Sequence, residues 1–338
     1  MFRSSNEKIE VKRVDETVDI VKRIGVITAD RVHLTNYPRD NPVMIFNPAS
    51  YIEDEGLKIY GRIVLGYFTY ASAIIELTIP VEELSDVSVG HYSGRMVVKP
   101  DNKFDIWGVE DPRFSVVKDK KVLTYCGRTL NYFSTVKFER TVPVIAVSED
   151  DQWRKICAFR IKGYNVVSDK DAFLQDIGGV KLFHRIHTLR DEFYCVIGEV
   201  PKDILERRDF SDVFIRDERT MLKCTEFEEK IGWGTPAVKI GKEYVMLLHA
   251  VDKDMKWYRV FAISMDDETE LRAVTPHYIM EPKENYEVYG DRPFVVFPCG
   301  LCRLDDKLIV SYGAADSAIG IGEIDISELM SILDSNRL

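Results

Sequence analysis

The sequence predicts an all-β fold: a five-bladed β-propeller with short helical extensions at its ends. Three observations predict it. Five segments of similar layout recur, opening at FNPAS around Asn47, VEDPRF around Asp111, SDKDAFL around Asp171, GWGTPAV around Thr235 and VFPCGL around Cys299. The steps between these positions are 64, 60, 64 and 64 residues, and a near-constant period built from strands marks propeller blades. After each opening come apolar runs rich in β-branched and aromatic residues, separated by polar turns. A pair of large β-sandwiches is the rival architecture, but it does not predict the even step.

The elements follow in order. VDETVDIVKRIGVI spaces Val14, Val18, Val21 and Ile24 by four, three and three residues before Gly25, as in a short amphipathic helix. The strand-like runs GRIVLGYFTY, KVLTYCGR, EFYCVIGEV, EYVMLLHAV and KLIVSYGAAD then follow the five openings. Turns such as KDK at 118–120 and LDDK at 304–307 fold most of them back as hairpins. Third runs, SAIIELTI, TVPVIAVS, YRVFAISM and AIGIGEIDI, bring the unit to three or four strands. DISELMSILDS offers Asp325 as an N-cap and puts Leu329, Ile332 and Leu333 on one face of a helix over 325–335. No low-complexity linker divides the chain, so residues 1–338 are expected to form one domain with its blades within about 30–325.

Composition narrows the function. The 338 residues carry 56 acidic and 46 basic side chains, a net charge of −10. That balance argues against binding nucleic acid or a polyanionic membrane, although it leaves room for a local basic pocket. The longest apolar runs, such as 66–77, are broken by Thr69, Ser72 and Glu76 and fall well short of the roughly 20 residues of a membrane span. MFRSSNEKIEVKRVDE lacks the apolar stretch of a signal peptide. A soluble cytoplasmic protein is expected. The six cysteines sit mostly in apolar runs, and Cys299 and Cys302 form a lone CxxC with no second pair to complete a zinc site. They read as core thiols.

In a propeller the start of each innermost strand faces the central channel, so equivalent residues of the five repeats converge. The openings carry Asn47, Glu110, Asp111, Arg113, Lys170, Asp171, Lys230, Asp291 and Arg292. The following runs carry Arg62, Arg128, Arg185, His249 and Asp316. Carboxylates, cations and aromatics in one funnel make a sugar site: carboxylates supply acid–base work and bind hydroxyls, and rings stack on sugar faces. Trp233 could stack a sugar or fill a blade interface, and Asp111 could simply cap a turn before Pro112.

GVEDPRF, SDKDAF, LFHRI, KIGWGTP, LLHA, VVFPCG and VSYGAAD, in that order, resemble glycoside hydrolase family 130, which contains β-mannoside phosphorylases and some β-mannosidases on a five-bladed propeller. The resemblance spans about residues 40–325. It implies that Asp111 is the general acid, relaying its proton to the glycosidic oxygen through a sugar hydroxyl. It implies sugar contacts from Asn47, Arg62 and Asp316, with Arg113, Arg128 and Asp171 as neighbouring substrate contacts. It implies a phosphate site from Lys170, Arg185 and Lys230, with His249 and Tyr258 close by. The expected substrate is a β-linked manno-oligosaccharide or mannoside, with inorganic phosphate as co-substrate and no metal or organic cofactor. Self-association stays open.

The sequence departs from the family pattern where the phosphorylases commonly read Asn-Lys-Asp, because Asp169 stands first here. A carboxylate there would repel phosphate and could activate water instead. An inverting hydrolase on the same site, with Asp169, Glu199 or Glu229 as base, therefore remains an alternative. So does a non-catalytic propeller that binds a glycan or a protein.

Overall fold

A computed structural model describes residues 3–4 and 12–338. Its strands form five sheets ordered around a central channel. The innermost strands are Met44–Glu53, Val109–Val117, Val166–Asp176, Glu228–Trp233 and Val296–Leu304, one per blade. Each begins an antiparallel meander outward, and the fourth is continued by Val238–Ile240.

The ends of the chain close the ring. Lys22–Ile27 pairs antiparallel with Ala318–Asp325 as the outer strand of the fifth blade. Val32–Leu34 then crosses to the first blade and pairs parallel with Tyr92–Val98. One short stretch thus ties the last blade to the first and closes the ring of blades. The apolar core lies between neighbouring blades. Ile45, Ile63 and Ile75 of the first blade pack with Ile309, Ile319 and Ile321 of the fifth. Phe173 and Phe183 of the third pack with Trp233 and Phe261 of the fourth.

The N-terminal run is not the helix its spacing suggests. Val14 and Val18 are 51% and 50% exposed, so the four-residue spacing marks no buried face. The segment lies extended along the fourth blade, where the amides of Val14, Val18 and Ile20 donate to the carbonyls of Pro276, Tyr278 and Ile279. The C-terminal helix runs Ile326–Asp334; the Asp325 side chain accepts from the Glu328 amide, and Leu329 and Leu333 are buried. All six cysteines are free thiols, and five of them are buried. No group of three or more metal-ligating side chains occurs among the described residues. No helix among them is long and apolar enough to cross a membrane.

Candidate active site

Three of the innermost strands break register at the same place. The pairing shifts between Phe46 and Ala49, between Glu110 and Arg113, and between Lys170 and Phe173. The first residue of each bulge has a left-handed backbone: Asn47 at φ 46°, Asp111 at 49° and Asp171 at 51°. Asn and Asp tolerate this region better than other non-glycine residues, and a bulge re-aims a side chain out of the strand's alternation. The same local device, repeated in three blades, thus turns three polar side chains toward one cavity of about 390 Å³. Asp316, also left-handed at φ 49°, enters from the turn after Lys307–Ala314. Gly313 makes room beside it: a Cβ there would lie 1.7 Å from Asn47 Oδ1.

Asp111 is held from three sides. It accepts from Asn47 Nδ2 at 2.8 Å and from Arg62 Nη1 at 2.8 Å, and Lys170 Nζ lies 4.0 Å away. Burial pushes its carboxyl up, but Arg62 and Lys170 outweigh burial, and the net shift is downward. Arg62 also reaches Glu110 at 3.1 Å. Glu110 in turn accepts from Arg128 Nε at 2.6 Å and from the Tyr132 hydroxyl at 2.7 Å. The two arginines of this side are therefore neutralised by two carboxylates. Asp316 behaves differently: burial, opposed by Arg62 and reinforced by Asp111, raises it to about 6.

Across the channel, cations gather with less compensation. Arg185 Nε donates to Asp171 Oδ2 at 2.5 Å. Lys230 lies 5.8 Å from the Tyr258 ring centroid, and Arg292 lies 4.7 Å from the same centroid. Among the described residues, neither Lys230 nor Arg292 has an ion-pair partner. Burial first, then Arg185, Arg292 and Lys170, push Lys230 down to about 8. Such a self-repelling cluster at a cavity wall suits an anion.

Comparison with known proteins fits this geometry. Residues 11–335 match the model of the family described as β-1,4-mannooligosaccharide phosphorylase. The chain belongs to glycoside hydrolase family 130. It is 27% identical over 230 residues to a β-1,2-mannobiose phosphorylase of Thermoanaerobacter sp. (strain X514), covering 65% of this chain and 68% of that one. It is 33% identical over 142 residues to a 1,2-β-oligomannan phosphorylase of the same organism, covering 38% and 48%. Its fold matches that of a Listeria innocua β-1,2-mannobiose phosphorylase solved with β-1,2-mannobiose, with a TM-score of 0.70 and 16% identity, over 94% of this chain and 99% of that one.

Within this family 130 chain, most of the sequence-derived positions meet in the one cavity. Asn47, Arg62, Asp111 and Arg128 line it from the first two blades. Lys170, Asp171, Arg185, Tyr258 and Asp316 line it from the others. Two positions need correction. Arg113 is fully buried and donates to the carbonyls of Gly234, Asp111 and Pro112; it braces the strand and does not line the cavity. His249 lies under the floor, its Nε2 3.5 Å from Asp171 Oδ2 and its ring 4.5 Å from that of Phe297. Burial holds it neutral, with its pKa near 3. Lys230 stands next to the lining, its Nζ 5.8 Å from the centroid of the Tyr258 ring, which does line the cavity.

None of the three candidate bases lines the cavity. Asp169 is buried against His184 Nδ1, with both oxygens at 3.0 Å. Glu199 is exposed at a strand end, and Glu229 is exposed and pairs with Lys256 at 2.6 Å. Trp233 fills the interface between the third and fourth blades, its indole donating to the His184 carbonyl at 3.0 Å. Sequence reasoning assigned no role to Glu110 or Arg292, although both stand in blade openings. It also missed the aromatic wall of Phe68, Tyr70, Tyr132 and Phe133.

Proposed function

We propose that the protein is an inverting β-mannoside phosphorylase that releases α-mannose 1-phosphate. Membership of family 130 and the names of its relatives support that class. The observation that carries the phosphate half is geometric: Lys170, Arg185 and Arg292 line one cavity, Lys230 stands beside the Tyr258 ring at its wall, and neither Lys230 nor Arg292 has an ion-pair partner among the described residues. A phosphate dianion among these groups relieves their mutual repulsion.

A phosphate oxygen then attacks the anomeric carbon from the face opposite the leaving group. The C–O bond to the acceptor sugar breaks, and the leaving oxygen takes a proton that Asp111 supplies through a hydroxyl of the reacting sugar. Phosphate is its own nucleophile, so the step calls for no water-activating base, and no metal or organic cofactor enters it. In the free site Asp111 is held as a carboxylate, which is the wrong state for an acid. Phosphate acts against this: negative charge beside Lys170 offsets one of the two cations that depress Asp111, which shifts the carboxyl toward its protonated form when the nucleophile is in place. Asn47 and Asp316 are positioned to take hydroxyls of the sugar in the −1 position.

The family is described by β-1,4 linkages and the relatives by β-1,2, so both substrate series belong in any assay. Six free thiols suit a reducing compartment, in keeping with a cytoplasmic enzyme. The reading is tested by a crystal grown with phosphate and by kinetics of Arg185→Ala. The anion is expected among Lys170, Arg185, Lys230 and Arg292, with contacts of roughly 2.7–2.9 Å. The variant is expected to raise the KM for phosphate far more than the KM for sugar. Equal effects on both, with no anion in the site, would count against it.

A further inference from the structure

The mouth of the cavity carries two aromatic pairs on loops of the first and second blades. Phe68 and Phe133 stand 5.3 Å apart between ring centroids, and Tyr70 and Tyr132 stand 5.8 Å apart. All four line the same cavity as Asp111. Phe68 is 80% exposed and Phe133 is 64% exposed, so their outer surfaces meet solvent in the free protein. The base of this rim is fixed: the Tyr132 hydroxyl donates to Glu110 at 2.7 Å and its ring lies 3.8 Å from the Arg128 guanidinium. The Tyr70 hydroxyl reaches Asp291 at 3.2 Å, across to the fifth-blade side. Two bare phenyl rings on a pinned base make a platform.

The chemistry fixes which part of a substrate meets it. Inversion requires the nucleophile and the leaving group on opposite faces of the reacting sugar. The poorly compensated cations come from the third and fourth blades and from Arg292 at the opening of the fifth, while the rim comes from the first and second, the blades that also carry Asn47, Arg62 and Asp111. With phosphate on the cationic side, the acceptor chain leaves past Phe68 and Phe133. We propose that these two rings form an acceptor-side subsite that stacks a sugar beyond the one next to the scissile bond, so that the enzyme favours β-mannosides of three or more residues over the disaccharide. The proposal rests on the phosphorylase reading of the same cavity. Apolar faces of pyranose rings bind aromatic side chains in this way, and exposed aromatic patches on a soluble chain commonly mark binding surfaces.

The test uses the full chain and the Phe68→Ala, Phe133→Ala double variant. Mannose 1-phosphate release is followed on the di-, tri- and tetrasaccharides of the β-1,2 and β-1,4 series. In the unaltered protein, kcat/KM is expected to rise by about tenfold from di- to trisaccharide, the worth of one good stacking contact. In the variant the ratio falls toward one. No rise with length, or a variant that loses equal proportions on every length, overturns the subsite. So does a change from oligomer to monomer on gel filtration of the variant, which would make the rings a contact between copies. A melting temperature unchanged by the substitutions is expected, because both rings are exposed. If no substrate yields mannose 1-phosphate, the phosphorylase reading itself fails, and that outcome is distinct from a flat length profile with product formed.

Discussion

Arg62 donates to Asp111 Oδ1 at 2.8 Å, and both side chains are buried. This contact sets the ionisation of the proposed acid. An acid that acts in its protonated form loses activity as pH rises through its pKa. Removing part of the Arg62 interaction lets that pKa rise, so the alkaline fall in kcat moves to higher pH. Arg62→Lys is expected to move it by about one unit and to reduce kcat/KM, since one ammonium cannot serve both Asp111 and Glu110. A pH–rate profile of kcat that keeps its alkaline limb in place would contradict this.

Asp111→Asn preserves the shape and loses the titrating proton. Turnover is expected to fall by roughly a hundredfold or more, with the circular dichroism spectrum unchanged. Near-normal turnover would mean that the proton comes from elsewhere, and Asp316, raised to about 6, would be the next candidate.

Lys230 supplies a second pH dependence of known sign. Its ammonium is charged below about 8 and neutral above it. Phosphate affinity in the free enzyme should therefore weaken as pH rises through that value, by at most about tenfold per unit. Lys230→Met is expected to have a high KM for phosphate already at pH 7 and no further rise attributable to this group. Phosphate KM measured from pH 6.5 to 9.5 decides it, because the same slope in both proteins removes Lys230 from the anion site.

These residues show how far the sequence could be read. Asn47, Asp111 and Asp171 were accessible because the blade period places them at equivalent positions, and their left-handed bulges make the placement functional. Arg113 was not, since nothing in EDPRF says that a bulge sends the guanidinium back to the Gly234 carbonyl. GYFTY reads as the end of a strand because it is aromatic and apolar. The strand stops at Val64 instead, and Phe68 stands on the rim. Local hydrophobicity gives the same signal for a core and for an exposed sugar platform. Arg292 and Lys230 converge only through the closed ring, which no linear spacing displays.

Gly232 marks a close approach between two blades. A Cβ at this position would lie 2.4 Å from Asp171 Oδ2 and 2.4 Å from His249 Nε2. Gly232→Ala is expected to push Asp171 off Arg185, raise the phosphate KM and cost about 1–3 kcal/mol of stability, the usual range for overpacking. Urea denaturation and phosphate-dependent kinetics read the two effects separately.

Phosphate, and not water, takes the mannosyl group in the proposed reaction. The most direct test is a time course of β-1,2- and β-1,4-mannobiose cleavage followed by proton and phosphorus NMR, with and without inorganic phosphate. α-Mannose 1-phosphate is expected as the first product, formed one for one with free mannose, with no cleavage when phosphate is omitted. Cleavage at the same rate without phosphate, yielding only mannose, would contradict this.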